Sequence, residues 1–397
     1  MKMRMTQLKT IADIQTGPFG SQLHKEDYVE TGTPIVTVEH LGNRVFTEQN
    51  LPRVSDSDKA RLIKYTLSTG DIVFSRVGSV DRCSYVDKSH DGWMFSGRCL
   101  RVRPTELVDS LYLYYYFCLE ETKQFVRNIA VGATMPSINT KLLGEVEIAL
   151  PDLNNQKRIA AVLSSLDDKI ENNQKLNDNL EQQAQSYFQE LFVDNADPEW
   201  AIGTISDLGT VVGGSIPSKA KPEYYTESGI AWITPKDLSI NKSKFVSHGE
   251  NDITELGLKN SSAAIMPEGT VLFSSRAPIG YIAIAAGEVT TNQGFKSVVP
   301  KPEIGTPFVY FFLKNTLPVI EGMASGSTFK EVSGSTMKNV PAVIPDAETL
   351  AKFSDFCAPI FAQQRILEEQ NQSLAKLRDS LLPKLMSGEI DVSAVHL

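Results

Sequence analysis

Two short loops of this chain carry residues with the chemistry to recognise a nucleic acid. Each loop follows an apolar run that begins with glycine, so that Gly70–Ser75 leads into Arg76 and Gly269–Ser274 leads towards Arg276. Small residues let a backbone approach a phosphate, and an arginine can donate two hydrogen bonds to guanine. For one loop alone, an arginine that only pairs with a nearby carboxylate is an equally good interpretation. The occurrence of the loop in both halves of the chain favours recognition.

Further side chains of this kind lie in turns rich in small residues. Asn and Gln pair well with adenine, although a buried Asn or Gln in a turn is the commoner case. The residues predicted to contact DNA are Gly17, Phe19, Ser21, His40, Arg44, Ser75, Arg76, Ser79, Arg82, Arg98 and Thr134 in the first half, and Ser215, Lys236, Asp237, Ser275, Arg276, Asn292, Gln293 and Thr328 in the second.

The sequence gives no positive indication of an enzyme. It has no phosphate-binding G-x-x-x-x-G-K-[ST] loop and no Asn/Asp-Pro-Pro-aromatic tetrapeptide of the kind that amino-methyltransferases use. The pair Gly213–Gly214 lacks the third glycine of a dinucleotide fingerprint, and the five histidines show no metal-ligand spacing. Asp152, which stands near Lys157, is better explained as a helix cap than as a nuclease carboxylate. We therefore expect no metal and no cofactor on this chain.

The distribution of charge along the chain says more about its binding partners than the net charge of −9. Residues 1–151 hold 18 basic and 18 acidic side chains, and residues 201–345 hold 12 of each, which leaves room for a basic face on both. The acidic excess lies in 152–200, with 4 basic and 10 acidic residues, and in 346–397, with 5 and 8. These two segments are predicted to face something other than phosphate.

We expect neither a secretion signal nor a membrane-spanning segment from the sequence. The first seven residues lack the apolar stretch of a signal peptide, and no run approaches eighteen apolar residues. The four cysteines show no C-x-x-C spacing, so reduced thiols in a cytoplasm are expected, with no membrane partner.

The elements that must position the loops also occur twice. Gly132–Thr134 returns as Gly326–Thr328 at an offset of 194 residues, and Tyr28 returns as Tyr225 at 197. Short β-branched and aromatic runs bounded by Gly, Pro and Ser predict two strand-rich globular units, at 1–151 and, after a linker at 194–201, up to residue 345. Each is predicted to include one aromatic helix that packs into its core, at Leu111–Phe125 in the first unit and Phe308–Ile320 in the second.

The two acidic segments, 152–193 and 346–397, have the pattern of long helices. Their apolar positions step alternately by four and three, which is a heptad seam over nearly five repeats. Pro359 and Pro383 predict kinked or frayed ends in the second helix. The predicted seam and partner-facing positions are Ile159, Leu163, Leu166, Ile170, Asn173, Leu180 and Leu191 in the first helix, and Leu367, Asn371, Leu374, Leu381 and Leu385 in the second.

Matching seams in one chain favour an antiparallel coiled coil over helices that each lie on their own globular unit. Asn173 should then face Asn371 and set the register. At about 1.5 Å per residue the first helix is roughly 55 Å long, enough to hold two readers one to one and a half turns of DNA apart. The predicted fold class is α+β, with two similar strand-rich recognition domains, two long helices and a pseudo-two-fold internal repeat.

The order of these motifs resembles the DNA specificity subunits of type I restriction–modification systems. The run Gly132–Ile138, then Leu150–Pro151, then Gln156–Ile170 is similar to the junction between a target recognition domain and its conserved helix in that family. Thr291–Phe295 and Leu385–Ile390 fit the same pattern. The second junction, at 345–353, departs from it because it lacks the Gln and the Ile-Ala pair of the first.

This resemblance implies a non-catalytic subunit that binds double-stranded DNA at a bipartite, asymmetric target. It also implies that the helices recruit two adenine methyltransferase subunits, which would use SAM, and in a full complex motor-nuclease subunits that use ATP and Mg²⁺. A DNA modification enzyme with its own active site, and a protein-binding scaffold or decoy that never touches DNA, remain the alternatives. Salt-dependent DNA binding would separate the first interpretation from a scaffold.

Overall fold

The structure is a computed structural model that describes residues 3–18, 20, 22–326 and 330–395. The chain divides into two compact units. Unit 1 comprises residues 1–171 and 373–397, and unit 2 comprises residues 172–372. The division runs through two long helices, so each unit contains a part of both.

The described part of unit 1 combines small sheets with helices. Its strands are β1 (Arg4–Gln7), β2 (Ala12–Thr16), β3 (Tyr28–Val29), β4 (Thr33–Val36), β5 (Arg53–Val54), β6 (Ile72–Ser75), β7 (Cys83–Tyr85), β8 (Met94–Phe95), β9 (Cys99–Pro104) and β10 (Glu147–Leu150). Its helices are α1 (Asp56–Arg61), α2 (Ser110–Cys118), α3 (Glu120–Ile129), α4 (Thr140–Gly144) and the first part of α5 (Leu153–Gln189). The sheet orders are β2-β9-β6-β7, β3-β5-β4-β8 and β1-β10, antiparallel except between β4 and β8.

One core of unit 1 forms where α2 covers the sheet β2-β9-β6-β7. Asp109 caps α2 by accepting a hydrogen bond from the backbone N of Tyr112 at 2.9 Å, which satisfies a donor that the first turn leaves free. Phe117 on α2 meets Phe74 on β6 edge to face, with ring centroids 4.7 Å apart. The aromatic residues of α2 are thus part of the core, as the sequence predicted, but the predicted segment Leu111–Phe125 is divided between α2 and α3, and Phe125 is exposed.

Unit 2 repeats this arrangement. Its strands are β11 (Ala201–Thr204), β12 (Gly209–Gly213), β13 (Tyr225–Thr226), β14 (Ile230–Ile233), β15 (Phe245–Val246), β16 (Asn251–Ile253), β17 (Val271–Ser275), β18 (Ile279–Ala285), β19 (Thr290–Thr291), β20 (Lys296–Pro300) and β21 (Pro341–Ile344). Its helices are α6 (Ile205–Leu208), α7 (Pro235–Ile240), α8 (Glu255–Lys259), α9 (Thr306–Met323), α10 (Gly334–Lys338) and the first part of α11 (Ala347–Ser387).

The sheet connections show that the two units share one plan. The order β12-β20-β17-β18 repeats β2-β9-β6-β7, the order β13-β16-β14-β19 repeats β3-β5-β4-β8, and β11-β21 repeats β1-β10. Unit 2 adds β15, which pairs in parallel with β18. The internal repeat predicted from the sequence is therefore a repeat of structure.

The two long helices follow the predicted heptads. All twelve predicted seam positions are buried or half-buried. The prediction that prolines would fray α11 was wrong, because the helix runs unbroken from Ala347 to Ser387. Pro359 and Pro383 both lie on its exposed side, where water can bond to the backbone carbonyls that a proline leaves without a partner.

In unit 2 the segments of the two long helices run antiparallel. In unit 2, Asn173 bonds to Asn371, whereas Tyr187, further along α5, packs on Phe356, which comes earlier in α11. In unit 1, Asp167 of α5 accepts a hydrogen bond from Nη1 of Arg378 at 2.6 Å. The seam is thus built from both helices in each unit, as an antiparallel pair requires.

Candidate nucleic-acid interface

Four loops of unit 1 meet through backbone hydrogen bonds, and we call them loop cluster 1: residues 16–18, 76–82, 96–98 and 131–138. The backbone N of Arg76 donates to the O of Arg98 at 2.8 Å, and the N of Ile138 donates to the O of Arg76 at 2.9 Å. Gly17 lies against the loop at 96–98, where a Cβ on Gly17 would lie 2.1 Å from the O of Ser96. The glycine is required by this close approach.

Loop cluster 1 presents cations. Arg98 is exposed, and its guanidinium makes no hydrogen bond or ion pair with another described residue. Arg76 is half-buried and donates from Nη1 to the O of Gly97 at 3.1 Å. Arg82 is also exposed, although its guanidinium bonds to the O of Leu41. An exposed arginine on a backbone fixed in this way can bind a phosphate or a base edge.

Unit 2 builds the equivalent loop cluster 2 from residues 213–217, 275–280, 292–295, 324–326 and 330–334. The backbone N of Ser275 donates to the O of Gly294 at 2.7 Å, and the N of Val332 donates to the O of Ser275 at 3.0 Å. Gly214 takes the place of Gly17, because a Cβ there would lie 1.9 Å from the O of Asn292. The backbone scaffold of the loops is thus the same in both units.

This scaffold corrects one expectation from the sequence. Arg76 and Ser275 make the same two backbone hydrogen bonds in their units. The structural counterpart of Arg76 is therefore Ser275, and Arg276 lies one residue further along the loop. The two arginines, which the sequence suggested as matching positions, are not equivalent.

The charges of loop cluster 2 differ from those of loop cluster 1. Arg276 contacts Glu331 with its Nη1 3.3 Å from the carboxylate, and the Nζ of Lys296 lies 3.8 Å from the same carboxylate. Burial lowers the pKa of Lys296, and the nearby Arg276 lowers it further, against the opposing effect of Glu331. Unit 2 thus presents a cation–carboxylate–cation group, whereas unit 1 presents the exposed Arg98, which has no ion-pair partner among the described residues.

Several predicted contact residues are instead used inside the fold. Nδ1 of His40 accepts a hydrogen bond from the backbone N of Thr37 at 3.0 Å, and His40 is buried. Asp237 has the same role in unit 2, where it accepts a hydrogen bond at the start of α7 from the backbone N of Thr234 at 2.7 Å. Ser75 and Ser275 are buried and donate to backbone carbonyls. These placements count against DNA contacts by the four side chains, because their polar groups already have partners.

Arg44 also has a structural partner. Its guanidinium bonds to the carboxylates of Asp168 and Glu171 on α5, and Nη1 lies 3.3 Å from the O of Ser164. The side chain is 16% exposed. This placement favours attachment of the globular part of unit 1 to its helix rather than a contact with DNA.

The remaining predicted residues lie at or near the loop clusters. Ser79, Thr134, Lys236 and Gln293 are exposed, whereas Ser215 and Asn292 are half-buried. Lys236 pairs with Glu250 at 2.6 Å, and Oδ1 of Asn292 accepts from the backbone N of Gly294 at 2.8 Å. The predicted contacts Phe19, Ser21 and Thr328 lie outside the described residues.

Sequence reasoning missed two functional candidates. Lys244 is the unit 2 counterpart of Arg44. The backbone O of Lys244 accepts a hydrogen bond from the backbone N of Ile284 at 2.7 Å, and the backbone O of Arg44 accepts the equivalent bond from Tyr85 at 2.7 Å. Glu331 occupies the place of Ser137 in loop cluster 1. The offset of 194 residues between Ser137 and Glu331 could have identified Glu331 from the sequence. No motif in the neighbouring sequence indicated Lys244.

Lys244 is enclosed almost completely. Its Nζ bonds to Glu181 of α5 and to Gln364 of α11, both at 2.8 Å, and lies 3.5 Å from the centroid of the Phe361 ring. Burial lowers its pKa to about 8 despite the attraction of Glu181. As Arg44 does in unit 1, Lys244 fixes the globular part of its unit to the helix pair.

Neither a metal site nor a membrane-spanning helix is found in the described part of the chain. These residues contain no group of three or more His, Cys, Asp or Glu placed to hold a metal ion. None of the described helices combines the length and apolar character that a bilayer crossing needs.

Two equivalent loop clusters on one repeated α+β plan, each fixed to a long helix pair, define a protein with two related recognition surfaces. The family model described as type I restriction modification DNA specificity domain matches residues 2–182 and 198–376. The chain belongs to this family and is a non-catalytic specificity subunit.

Individual relatives agree with this assignment. The type I restriction enzyme MjaIX specificity subunit of Methanocaldococcus jannaschii is 39% identical over 191 residues, which cover 46% of this chain and 44% of that protein. The HindI specificity subunit of Haemophilus influenzae is 23% identical over an alignment of 406 residues, which covers 82% of this chain and 88% of that protein. A solved type I restriction–modification S subunit from M. genitalium has the same fold, with a TM-score of 0.62 at 18% identity over 97% of this chain and 96% of that one.

Proposed function

We propose that the chain directs a type I restriction–modification complex to a bipartite, asymmetric DNA target, with one half read by each loop cluster. The observation that supports this most directly is the shared backbone scaffold of the clusters with unlike side chains. Arg76 stands where unit 2 has Ser275, and Arg98 stands where unit 2 has Gly294. One scaffold with two sets of side chains suits two different short sequences.

The proposed contact residues are those that the structure leaves near the loop surfaces. Arg76, Arg82 and Arg98 would serve unit 1, and Arg276, Gln293 and Lys296 would serve unit 2. Their guanidinium, amide and ammonium groups can bind phosphates and base edges. The proposed readers extend over residues 1–151 and 194–345.

The proposed protein partners bind the helices at 152–193 and 346–397. The acidic excess of these segments, 10 acidic against 4 basic residues in 152–200, makes them unsuited to phosphate and suited to protein docking. We propose two methyltransferase subunits as the partners, and motor-nuclease subunits in a full complex. SAM, ATP and Mg²⁺ would then belong to the partners.

The test is a map of methylated adenines in host DNA with and without the chain. A methylated motif with two defined halves and a fixed gap, present only with the chain, is expected. Methylation that does not depend on the chain would overturn the proposal.

A mobility shift with the chain and its methyltransferase partners separates DNA recognition from a scaffold role. Affinity for duplex DNA should fall steeply as salt rises, because phosphate contacts release counterions. Protein binding through the helices without salt-dependent DNA binding would favour the scaffold.

A further inference from the structure

A carboxylate stands within loop cluster 2 at a position where the backbone is fixed. The backbone N of Glu331 donates to the O of Ser325 at 2.9 Å, and the N of Ser325 donates to the O of Glu331 at 3.1 Å. Val131 and Ser137 make the same pair of hydrogen bonds in loop cluster 1. Unit 1 thus has a serine hydroxyl at the place where unit 2 has a carboxylate, and the two clusters differ in charge there.

The carboxylate of Glu331 is held by cations without being saturated. Nη1 of Arg276 lies 3.3 Å away and Nζ of Lys296 lies 3.8 Å away, which are long contacts for charged partners. The side chain of Glu331 is 38% exposed, and that of Arg276 is 36% exposed. An ionised carboxylate has about four acceptor sites, so Glu331 can accept a further hydrogen bond from outside.

A carboxylate on a DNA-binding surface does not add to phosphate affinity, because the two negative charges repel each other. The carboxylate also repels base atoms that only accept hydrogen bonds, such as guanine O6 and thymine O4 in the major groove. The base groups that donate in that groove are the exocyclic amino groups, N6 of adenine and N4 of cytosine. A fixed and partly free carboxylate suits these donors.

We infer that Glu331 is a specificity-determining residue that accepts a hydrogen bond from an exocyclic amino group, of adenine or cytosine, in the half-site read by unit 2. The inference rests on the proposed function, since it requires loop cluster 2 to face DNA. Arg276 and Lys296 hold the carboxylate in position and offset its repulsion of the phosphates.

The test uses the full chain with its methyltransferase partners and a library of duplexes varied through both half-sites. Glu331→Ala should lower discrimination at one base pair of the unit 2 half by about ten- to 150-fold, the range for one hydrogen bond to a charged group. It should leave the unit 1 half unchanged and raise affinity for random-sequence duplex. Glu288→Ala removes another exposed carboxylate of unit 2 and should leave both halves unchanged.

Base analogues separate the two sources of the amino group. The wild-type complex should lose affinity when purine replaces adenine, or when pyrimidin-2-one replaces cytosine, at the affected position. The complex with Glu331→Ala should lose little further affinity on the same base replacement, because the deleted amino group and the deleted carboxylate are partners in one contact. If the base is adenine, Glu331→Gln should keep the preference, because glutamine can bind adenine by two hydrogen bonds. If the base is cytosine, Glu331→Gln should lose the preference.

Unchanged base preferences in Glu331→Ala, with a thermal melting point equal to that of the wild type, would overturn the inference and leave the proposed function standing. Equal relaxation of both half-sites would overturn it as well. A wild-type complex with no sequence preference would instead contradict the proposed function itself.

Discussion

The Nδ2 of Asn173 donates a hydrogen bond to Oδ1 of Asn371 at 2.9 Å, inside the seam between the two long helices. Asn173 is 2% exposed and also lies 3.4 Å from Oε1 of Gln370. A buried amide is costly without a partner, and only one register of the two helix segments gives it this partner. The pair that the heptads predicted is therefore present in unit 2 and can fix the register there.

Single and double changes at this pair should have different effects. Asn173→Leu leaves Asn371 without this partner and should lower the free energy of unfolding by about 1–3 kcal/mol. Adding Asn371→Leu should recover much of that loss, because both amides are then replaced by apolar groups. Chemical denaturation of the four proteins in the cycle measures the coupling. Additive losses would show that the amides are not coupled, and Asn172→Leu, an exposed position on the same helix, should have little effect.

Two adjacent glycines of loop cluster 2 offer a test of its backbone geometry. A Cβ on Gly214 would lie 1.9 Å from the O of Asn292, whereas a Cβ on Gly213 would meet no heavy atom within 4 Å. Gly214→Ala should therefore displace the loop at 292–295, lower stability by about 1–3 kcal/mol and weaken binding to the unit 2 half-site. Gly213→Ala should be close to neutral in melting point and half-site affinity. Similar behaviour of the two variants would contradict the close approach.

The fold was largely predictable because its signals are periodic or repeated. The 194-residue offset of Gly132–Thr134 and the heptads of the two helices depend only on spacing in the sequence. The sheet orders and the buried seam agree with them. Pro359 and Pro383 misled the prediction, since a proline on an exposed helix face breaks fewer contacts than one facing a seam.

The candidate site was predictable only in part because burial is decided by tertiary contacts. Arg44 is an arginine in a polar stretch, and only the fold shows that Asp168 of α5 receives its guanidinium. His40 looks like a base reader until the cap that it forms with Thr37 is visible. The mismatch of Arg76 and Arg276 was already visible in the spacing, because the offset of 199 that relates Gly70 to Gly269 places Arg76 opposite Ser275.

The half-buried carboxylate of Glu181 should make unit 2 sensitive to acid. Burial disfavours its charged form, but Lys244 and Lys314 outweigh that effect and lower its pKa to about 2, from an ordinary value of 4.5. The stabilisation is fully present above pH 4.5 and is lost as the pH falls towards 2, and it amounts to roughly 3 kcal/mol.

Glu181→Gln should remove this part of the pH dependence. It also leaves the ammonium of Lys244 without its carboxylate partner, so the free energy of unfolding at pH 7 should fall by about 3–5 kcal/mol. Denaturant titrations between pH 2 and pH 7 check both effects. Glu190→Gln, at an exposed residue of the same chain segment, should keep the wild-type slope, and an equally steep slope in Glu181→Gln would contradict the assignment.

Arg98 and Arg276 should act on different halves of the target. Arg98→Ala removes an exposed guanidinium with no partner among the described residues of unit 1, so affinity should fall without loss of stability. If Arg98 binds a phosphate, the slope of log affinity against log salt should decrease by about 1. If it binds guanine, discrimination at one base pair of the unit 1 half should fall by about five- to 150-fold.

Arg276→Ala should affect the unit 2 half alone, and by less, because Glu331 already neutralises part of its charge at 3.3 Å. Competition binding of the complex to duplexes altered in one half at a time measures both variants. Lys88→Ala, which removes an exposed cation of unit 1 outside loop cluster 1, serves as the charge-matched control and should leave discrimination unchanged at both halves. Equal losses at both halves for Arg98→Ala would show that the two clusters do not read DNA independently, since a contact confined to one reader can change only the base pairs within its reach.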